Sequence, residues 1–490
     1  MHGMVRWTLI LLALAALPAQ AARTDWSEMS VAGFHLYSTL QDRDTREVAR
    51  QLQAFRDTVG RFIAGHDPLP DVPTNVYILD GPDFRKHAVG GRGLAGFFKQ
   101  LQFQNIIAVD GSLDFAQLRE AIFHEYTHFI QANSSSRHYP PWYVEGYACL
   151  FSSFLLRNQT LYVGEEPRSL YITAGDWMPV EHILALKRTD PDFRKEGLTP
   201  QFYGESWALV HMLLFDDKTY LEPVSKYLSQ LDAGLTEPEA FEASFPFSKA
   251  DLDKALKTLL RRQVIHVKRL EIPRAIMIDE APIRAMSRPE ADARMARLVF
   301  DLDRPEAAVS ALLDEAMQSG SNNPQIRAQQ ARYLAANGKP VAVDDLVSAE
   351  LQDHRPDEQM RIDLAATLSD DSALHRAPAR AAELLDPVVS RPNPSLEAVA
   401  IWSNARVETG TDLARTSAVL NEALGRAPRN TALLGALARA RESAGDRSGA
   451  KAAYNRIIDA SNDPKERLWA QKQADSERLS QPSGTGSVVD

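Results

Sequence analysis

After about residue 280 this chain stops carrying strand signals. Ala, Leu, Arg and Glu dominate from there to about residue 478, and the apolar positions recur. In the last unit Leu434, Leu437, Ala438, Gly445, Ala450, Tyr454 and Ile457 set small and large residues at helical spacing. Thr416, Leu420 and Ala423 stand 34 residues before Ala450, Tyr454 and Ile457, and Pro428 follows them. Ala381, Leu385 and Val388 repeat the pattern with a slip of one residue, and 304–338 reads as a fourth, degenerate unit. A fixed period of this kind marks stacked helical pairs, in which each unit buries its apolar face only against its neighbours. An irregular helical domain is the alternative.

The first part of the chain mixes both periods. Phe34-His35-Leu36-Tyr37 reads as a short strand. Residues 44–63 read as an amphipathic helix, with Val48, Leu52, Phe55, Val59 and Phe62 at steps of three and four. Residues 74–79 are rich in β-branched side chains and end at Asp80-Gly81-Pro82, a turn signal. Residues 93–98 and 105–109 predict two more strands, the second closed by Asp110-Gly111. A helix is expected from about Phe115, another from Trp142 to about residue 154, and a largely apolar, buried one over 201–215.

With 490 residues, two or three domains are expected. The net charge of −10 and the lack of a basic run leave no footprint for nucleic acid or anionic lipid. At the N-terminus Arg6 precedes an apolar run over 7–17, too short to cross a bilayer, and Ala19-Gln20-Ala21 follows as a small-x-small cleavage signal. These predict a secretory signal peptide over 1–22, with an uncleaved anchor as the alternative. No other stretch is expected to span a membrane. Cys149 is the single cysteine, so no intrachain disulfide forms, which fits a bacterial periplasm or exterior better than a eukaryotic secretory route. The thiol itself reads as buried packing, since no basic neighbour is evident in sequence.

The chemistry concentrates in His124-Glu125-Tyr126-Thr127-His128. Residues four apart share a helix face, so His124 and His128 can address one ion, and Glu125 can reach a water beside it. With 12 His among 490 residues, such a pattern arises by chance on the order of once in fifty chains. The flanking Ala121, Ile122, Phe123, Phe129 and Ile130 strengthen it: a core helix buries two histidines and a glutamate only if something satisfies them. A satisfied polar cluster on a buried helix is the bland alternative. A catalytic metal also needs a third protein ligand. Pro140-Pro141 ends the following loop, and Glu145 stands early in the next helix, on a face read as shared with Tyr143, Tyr147 and Leu150. Taken alone, an early-turn glutamate is also what a helix dipole favours.

HEYTH followed by Trp142-Tyr143-Val144-Glu145-Gly146-Tyr147-Ala148 resembles the gluzincin zinc peptidases, and in its W-x-x-E-G-x-A form the aminopeptidase branch and the exported peptidase MA-like domains. The resemblance covers roughly 31–225. It implies Zn²⁺ held by His124, His128 and Glu145, with Glu125 as general base and later general acid. It further implies that Tyr203 donates to the developing oxyanion, although Glu205-Ser206 stands where the family carries Lys-Gly. His211, eight residues on, is a weaker candidate. The family's edge strand, which binds substrate backbone, falls on Gly93, Leu94, Ala95 and Gly96. The Gly-x-Met-Glu-Asn stretch that captures a free amine in aminopeptidases has no counterpart here, which favours internal cleavage or a different substrate entirely. The repeats likewise resemble tetratricopeptide repeats.

The expected fold class is therefore α+β: a zincin-like metallopeptidase domain (23–275), an all-α tetratricopeptide-like solenoid (280–478) and a disordered tail (479–490). The expected function is an exported zinc metallopeptidase, periplasmic or extracellular, whose repeats bind a protein substrate or partner. A non-catalytic zinc-containing scaffold for envelope protein assembly and a metallohydrolase acting on a non-peptide substrate are the alternatives.

Overall fold

The computed structural model describes residues 26–476 apart from 32, 61, 63–71, 89–94, 135–138, 168–176, 188–197, 262–265, 272–280, 320–322, 353–356, 371–375 and 462. The expected signal peptide and disordered tail lie outside the described residues, as do Gly93 and Leu94 of the expected substrate strand.

The architecture mixes α and β, as an α+β reading requires. Six strands form one mixed sheet: β1 (Ser27–Val31), β2 (Phe34–Ser38), β3 (Thr74–Leu79), β4 (Gly96–Gln100), β5 (Asn105–Asp110) and β9 (Ile283–Ala285), in the order β4-β5-β3-β2-β1-β9. β2, β3 and β5 run parallel at the centre, while β4, β1 and β9 pair antiparallel. Every residue of β3 and β5 is buried. That matches their near-continuous apolar sequences, because a parallel strand is covered on both faces. A second sheet holds β6 (Leu155–Arg157), β7 (Thr160–Val163) and β8 (Lys268–Glu271).

Alternation of side chains divides the large sheet between two cores. Val76, Ile78, Ile107 and Val109 face α1 (Asp42–Phe55) and α2 (Phe115–Ser134). Tyr77, Leu79, Ile106 and Ala108 face the opposite way, onto helices from the end of the chain. Those helices begin after β9, a short strand that lies in a region read from sequence as helical throughout. Three residues carry too little period-two pattern to be seen; pairing with β1 makes the strand.

Between the motif helix and this region lie α3 (Pro141–Ser152), α4 (Val180–Ala185), α5 (Leu198–His211), α6 (Leu221–Asp232), α7 (Glu237–Ser244) and α8 (Lys249–Leu260). Eleven helices follow: α9 (Arg288–Asp301), α10 (Glu306–Gln318), α11 (Pro324–Ala336), α12 (Asp344–Gln352), α13 (Glu358–Ser369), α14 (Pro378–Val389), α15 (Leu396–Thr409), α16 (Leu413–Arg426), α17 (Thr431–Ser443), α18 (Arg447–Ala460) and α19 (Pro464–Ala474). The periodic positions read from sequence are core positions: Ala381, Leu385, Val388, Thr416, Leu420, Leu434, Ala438, Ala450 and Ile457 are fully buried. Gly445 adopts φ 81° just past the end of α17, a left-handed turn that suits glycine.

One apolar position departs from the sequence reading. Val48, Leu52, Phe55 and Val59 are buried, but Phe62 is 75% exposed. The helix widens to π geometry over Arg56–Gly60. One wide turn adds a residue to the repeat, so a stripe extrapolated at 3.6 residues per turn falls off the core face by Phe62.

Candidate metal centre

α2 starts where its sequence says it should. Asp114 sits at the N-cap, its carboxylate accepting from the backbone N–H of Ala116 and Gln117 at 2.9 Å. Ile122, Phe123, Phe129 and Ile130 bury the helix against the sheet and α1, which turns His124, Glu125 and His128 toward one less buried flank. Pro140 and Pro141 then stop the loop and start α3, with Pro141 at the first helical position, where its missing N–H costs nothing.

These two helices bring together the residues singled out from sequence. His128 Nε2 lies 3.1 Å from His124 Nε2, and Glu145 Oε2 lies 3.4 Å from His124 Nε2 and 3.3 Å from His128 Nε2. Glu145 is 3% exposed while both histidines keep an open side. Burial pushes the Glu145 carboxyl up, but the hydrogen bonds from His124 and His128 outweigh it and hold the group well below the usual carboxylate range. The cluster could hold a metal ion. An ion about 2.0–2.1 Å from each of three tetrahedrally arranged ligands sets them ~3.3–3.4 Å apart, since a tetrahedral edge is about 1.63 bond lengths. The three observed separations bracket that value, so the donor set fits such an ion without rearrangement.

The face assigned to Glu145 is corrected by the structure. Tyr143 and Tyr147 stack on each other at 5.4 Å, within a row that runs from Tyr139 to Phe151. Two residues along a helix are a turn of about 200°, so Glu145 points away from this row. What shares its face is Cys149, four residues on.

The sequence reads Cys149 as plain packing. It is buried, at 3% exposure, but its Sγ lies 3.6 Å from His124 Nδ1. With Nε2 turned into the cluster, the proton of a neutral His124 belongs on Nδ1, which then donates to the sulfur. Burial raises the thiol well above its ordinary range, so it stays S–H and is no nucleophile. The i, i+4 spacing of Glu145 and Cys149 puts both on one face of their helix, but nothing local states that this face meets both ends of His124.

Gly146 explains another feature of the motif. A Cβ placed on it would stand 2.3 Å from the Ser206 carbonyl oxygen. Only glycine lets α3 approach α5 this closely. The approach sets Tyr203, on α5, beside the cluster, with its ring centroid 6.1 Å from that of His124. Glu205 is turned elsewhere: it is buried and accepts from the Met178 N–H at 3.1 Å and from Gln201 Nε2 at 2.8 Å. His211 is fully buried, and its Nε2 donates to the His266 carbonyl at 3.0 Å, outside the three-residue cluster.

Of the expected substrate strand, Ala95 and Gly96 are described. The strand runs over Gly96–Gln100 and ends the sheet order beside β5. A Cβ on Gly96 would lie 3.6 Å from Glu125 Cγ, so the strand passes directly beside the motif glutamate.

No protein-family model matches the sequence, and no curated protein and no solved structure is significantly similar to it.

Proposed function

We propose that this chain is an exported zinc metallopeptidase, acting on peptide bonds inside a peptide or protein chain. The observation that carries the reading is the triangle of His124, His128 and Glu145 at tetrahedral spacing, with Glu125 on the same helix and an edge strand beside it. Two imidazoles and one carboxylate are a donor set suited to zinc, and three protein ligands leave a coordination position open, which a purely structural site does not need. Zinc bound there supplies Lewis acidity, polarising the scissile carbonyl and acidifying water.

The chain's own residues do the rest. An extended substrate adds to the outer edge of β4, backbone to backbone, which aligns its carbonyl with the cluster. Glu125 takes the proton from the attacking water and returns it to the leaving amine. Tyr203 donates its hydroxyl to the oxyanion that develops on the carbonyl. Cys149 holds the His124 ring in the tautomer that ligation requires. On this reading the gluzincin resemblance extends to fold as well as chemistry, the protein works in the periplasm or outside the cell, and the tetratricopeptide-like helices offer a surface for a protein partner.

Zinc-loaded protein incubated with a complex peptide library, with the products read by mass spectrometry, tests this. Internal cuts by wild type that vanish in Glu125→Gln support a peptidase and define its specificity. Identical product lists from the two proteins would reject it.

A further inference from the structure

We infer that the helical region is a strut that holds β4 in place beside Glu125, so that the far end of the chain sets the geometry of the substrate strand. The consequence for catalysis rests on the peptidase reading above; the mechanical tie does not.

β4 is gripped from both faces. Gly96 and Phe98 turn toward α2: Gly96 lies against Glu125, and the Phe98 ring meets Phe129 edge-on with centroids 5.6 Å apart. The alternate residues turn the other way. Phe97 and Leu101 pack into the core formed with α9 and α10. Between them Lys99 Nζ donates to the Asp301 carbonyl at 2.8 Å, at the end of α9, and pairs with the Asp303 carboxylate at 2.8 Å.

The turn from β4 into β5 goes further into the helical region. It is tight, with the Leu101 N–H donating to the Gln104 carbonyl at 2.9 Å. Asn430 Nδ2, at the start of α17, donates to the Gln102 carbonyl at 2.7 Å, and Phe103 packs against the core of the later helices. Gln104 Nε2 donates to Asp301 Oδ2 at 2.6 Å, while its Oε1 accepts from Asn75 Nδ2 at 2.5 Å.

Asp301 is the first member of an ionic chain that crosses four helices. Arg297 pairs with Asp301 at 3.1 Å and Asp363 at 3.2 Å; Arg332 pairs with Asp363 at 2.8 Å and Glu397 at 2.6 Å. These groups are shielded from water, and buried charge pairs are rigid because losing one partner is costly. The β4–β5 turn thus plugs into a stiff frame made by α9, α11, α13 and α15, with Asn430 holding it from a more distant helix.

Full-length protein carrying Gln104→Glu places a second carboxylate against Asp301, and Lys99→Met removes the other anchor without touching the ionic chain. Hydrogen exchange read by mass spectrometry reports on the strand directly. Both variants are expected to speed exchange over 96–100 about tenfold, with α2 and zinc uptake unchanged. On any peptide the wild type cuts, KM rises about tenfold while kcat moves by less than about twofold. Exchange equal to wild type would overturn the strut, and so would loosening of α2 together with the strand, which signals general destabilisation. If wild type cuts no peptide, the peptidase reading fails, and the exchange result still decides the strut.

Discussion

Glu125 is the neighbour of His124 in sequence and lies beside β4, so on the proposed function its chemistry can be removed without removing the metal. Glu125→Gln is expected to lower kcat about 10²–10⁴-fold while zinc content stays at the wild-type level. Cys149→Ala acts at the other end of His124. Partners that orient a ligand are typically worth about 10–100-fold in metal affinity, and a loss of that size is expected in competition with a chromophoric chelator. Unchanged affinity would return Cys149 to the role of plain packing. At His211 burial lowers the imidazole below its ordinary value of 6.5, because a second ring proton would be trapped away from water. The unfolded chain binds that proton more readily. Stability from this group is therefore complete above pH 6.5 and is lost as pH falls from there through the folded value. Denaturant midpoints measured from pH 8 to pH 5 should fall, and His211→Gln should flatten that slope. Of these residues, the two histidines on α2 and the glutamate on α3 are legible in the sequence as spacing. Cys149 was not recognised, because its contact with His124 crosses between helices whose relative rotation no local pattern states.

At the scale of elements, the close approach of α3 to α5 depends on one missing methyl group. Gly146→Ala forces a Cβ against a backbone oxygen that cannot swing aside, a clash expected to cost about 1–3 kcal/mol in a denaturation series. It should also displace Tyr203 from His124 and lower turnover beyond what the stability loss explains. A variant as stable and active as wild type would show that α5 shifts freely. The central strands β3 and β5 were readable because burial on both faces gives each an unbroken apolar run of four residues, Val76 to Leu79 and Ile106 to Val109. The end of α1 was not, because a π turn leaves no mark in the periodicity that a 3.6-residue template can follow. The strand read over 93–98 runs over Gly96–Gln100 among the described residues, because its pairing with β5 extends to Gln100; 93 and 94 lie outside them.

Across the whole molecule, the sheet cannot be finished by the part of the chain that makes it. Its far face is closed by α9 and α10, through Met295, Leu298, Val299 and Leu313. A chain ending after Met286 keeps the nine strands found among the described residues and uncovers that face, and it is expected to aggregate or to show expanded, non-cooperative unfolding by circular dichroism. A soluble, cooperatively folded fragment would contradict this. The helical period was visible in sequence, since stacking repeats a local pattern. The attachment of that region to the sheet was not, since the shared core and contacts such as Lys99 to Asp301 join parts of the chain far apart in sequence. The proposed function requires that His124, His128 and Glu145 hold one metal ion between them. Native mass spectrometry at a fixed low free zinc concentration tests it most directly. One zinc per chain is expected in wild type and in Glu125→Gln, and loss of that zinc in Glu145→Ala. Wild-type zinc content in Glu145→Ala would contradict it.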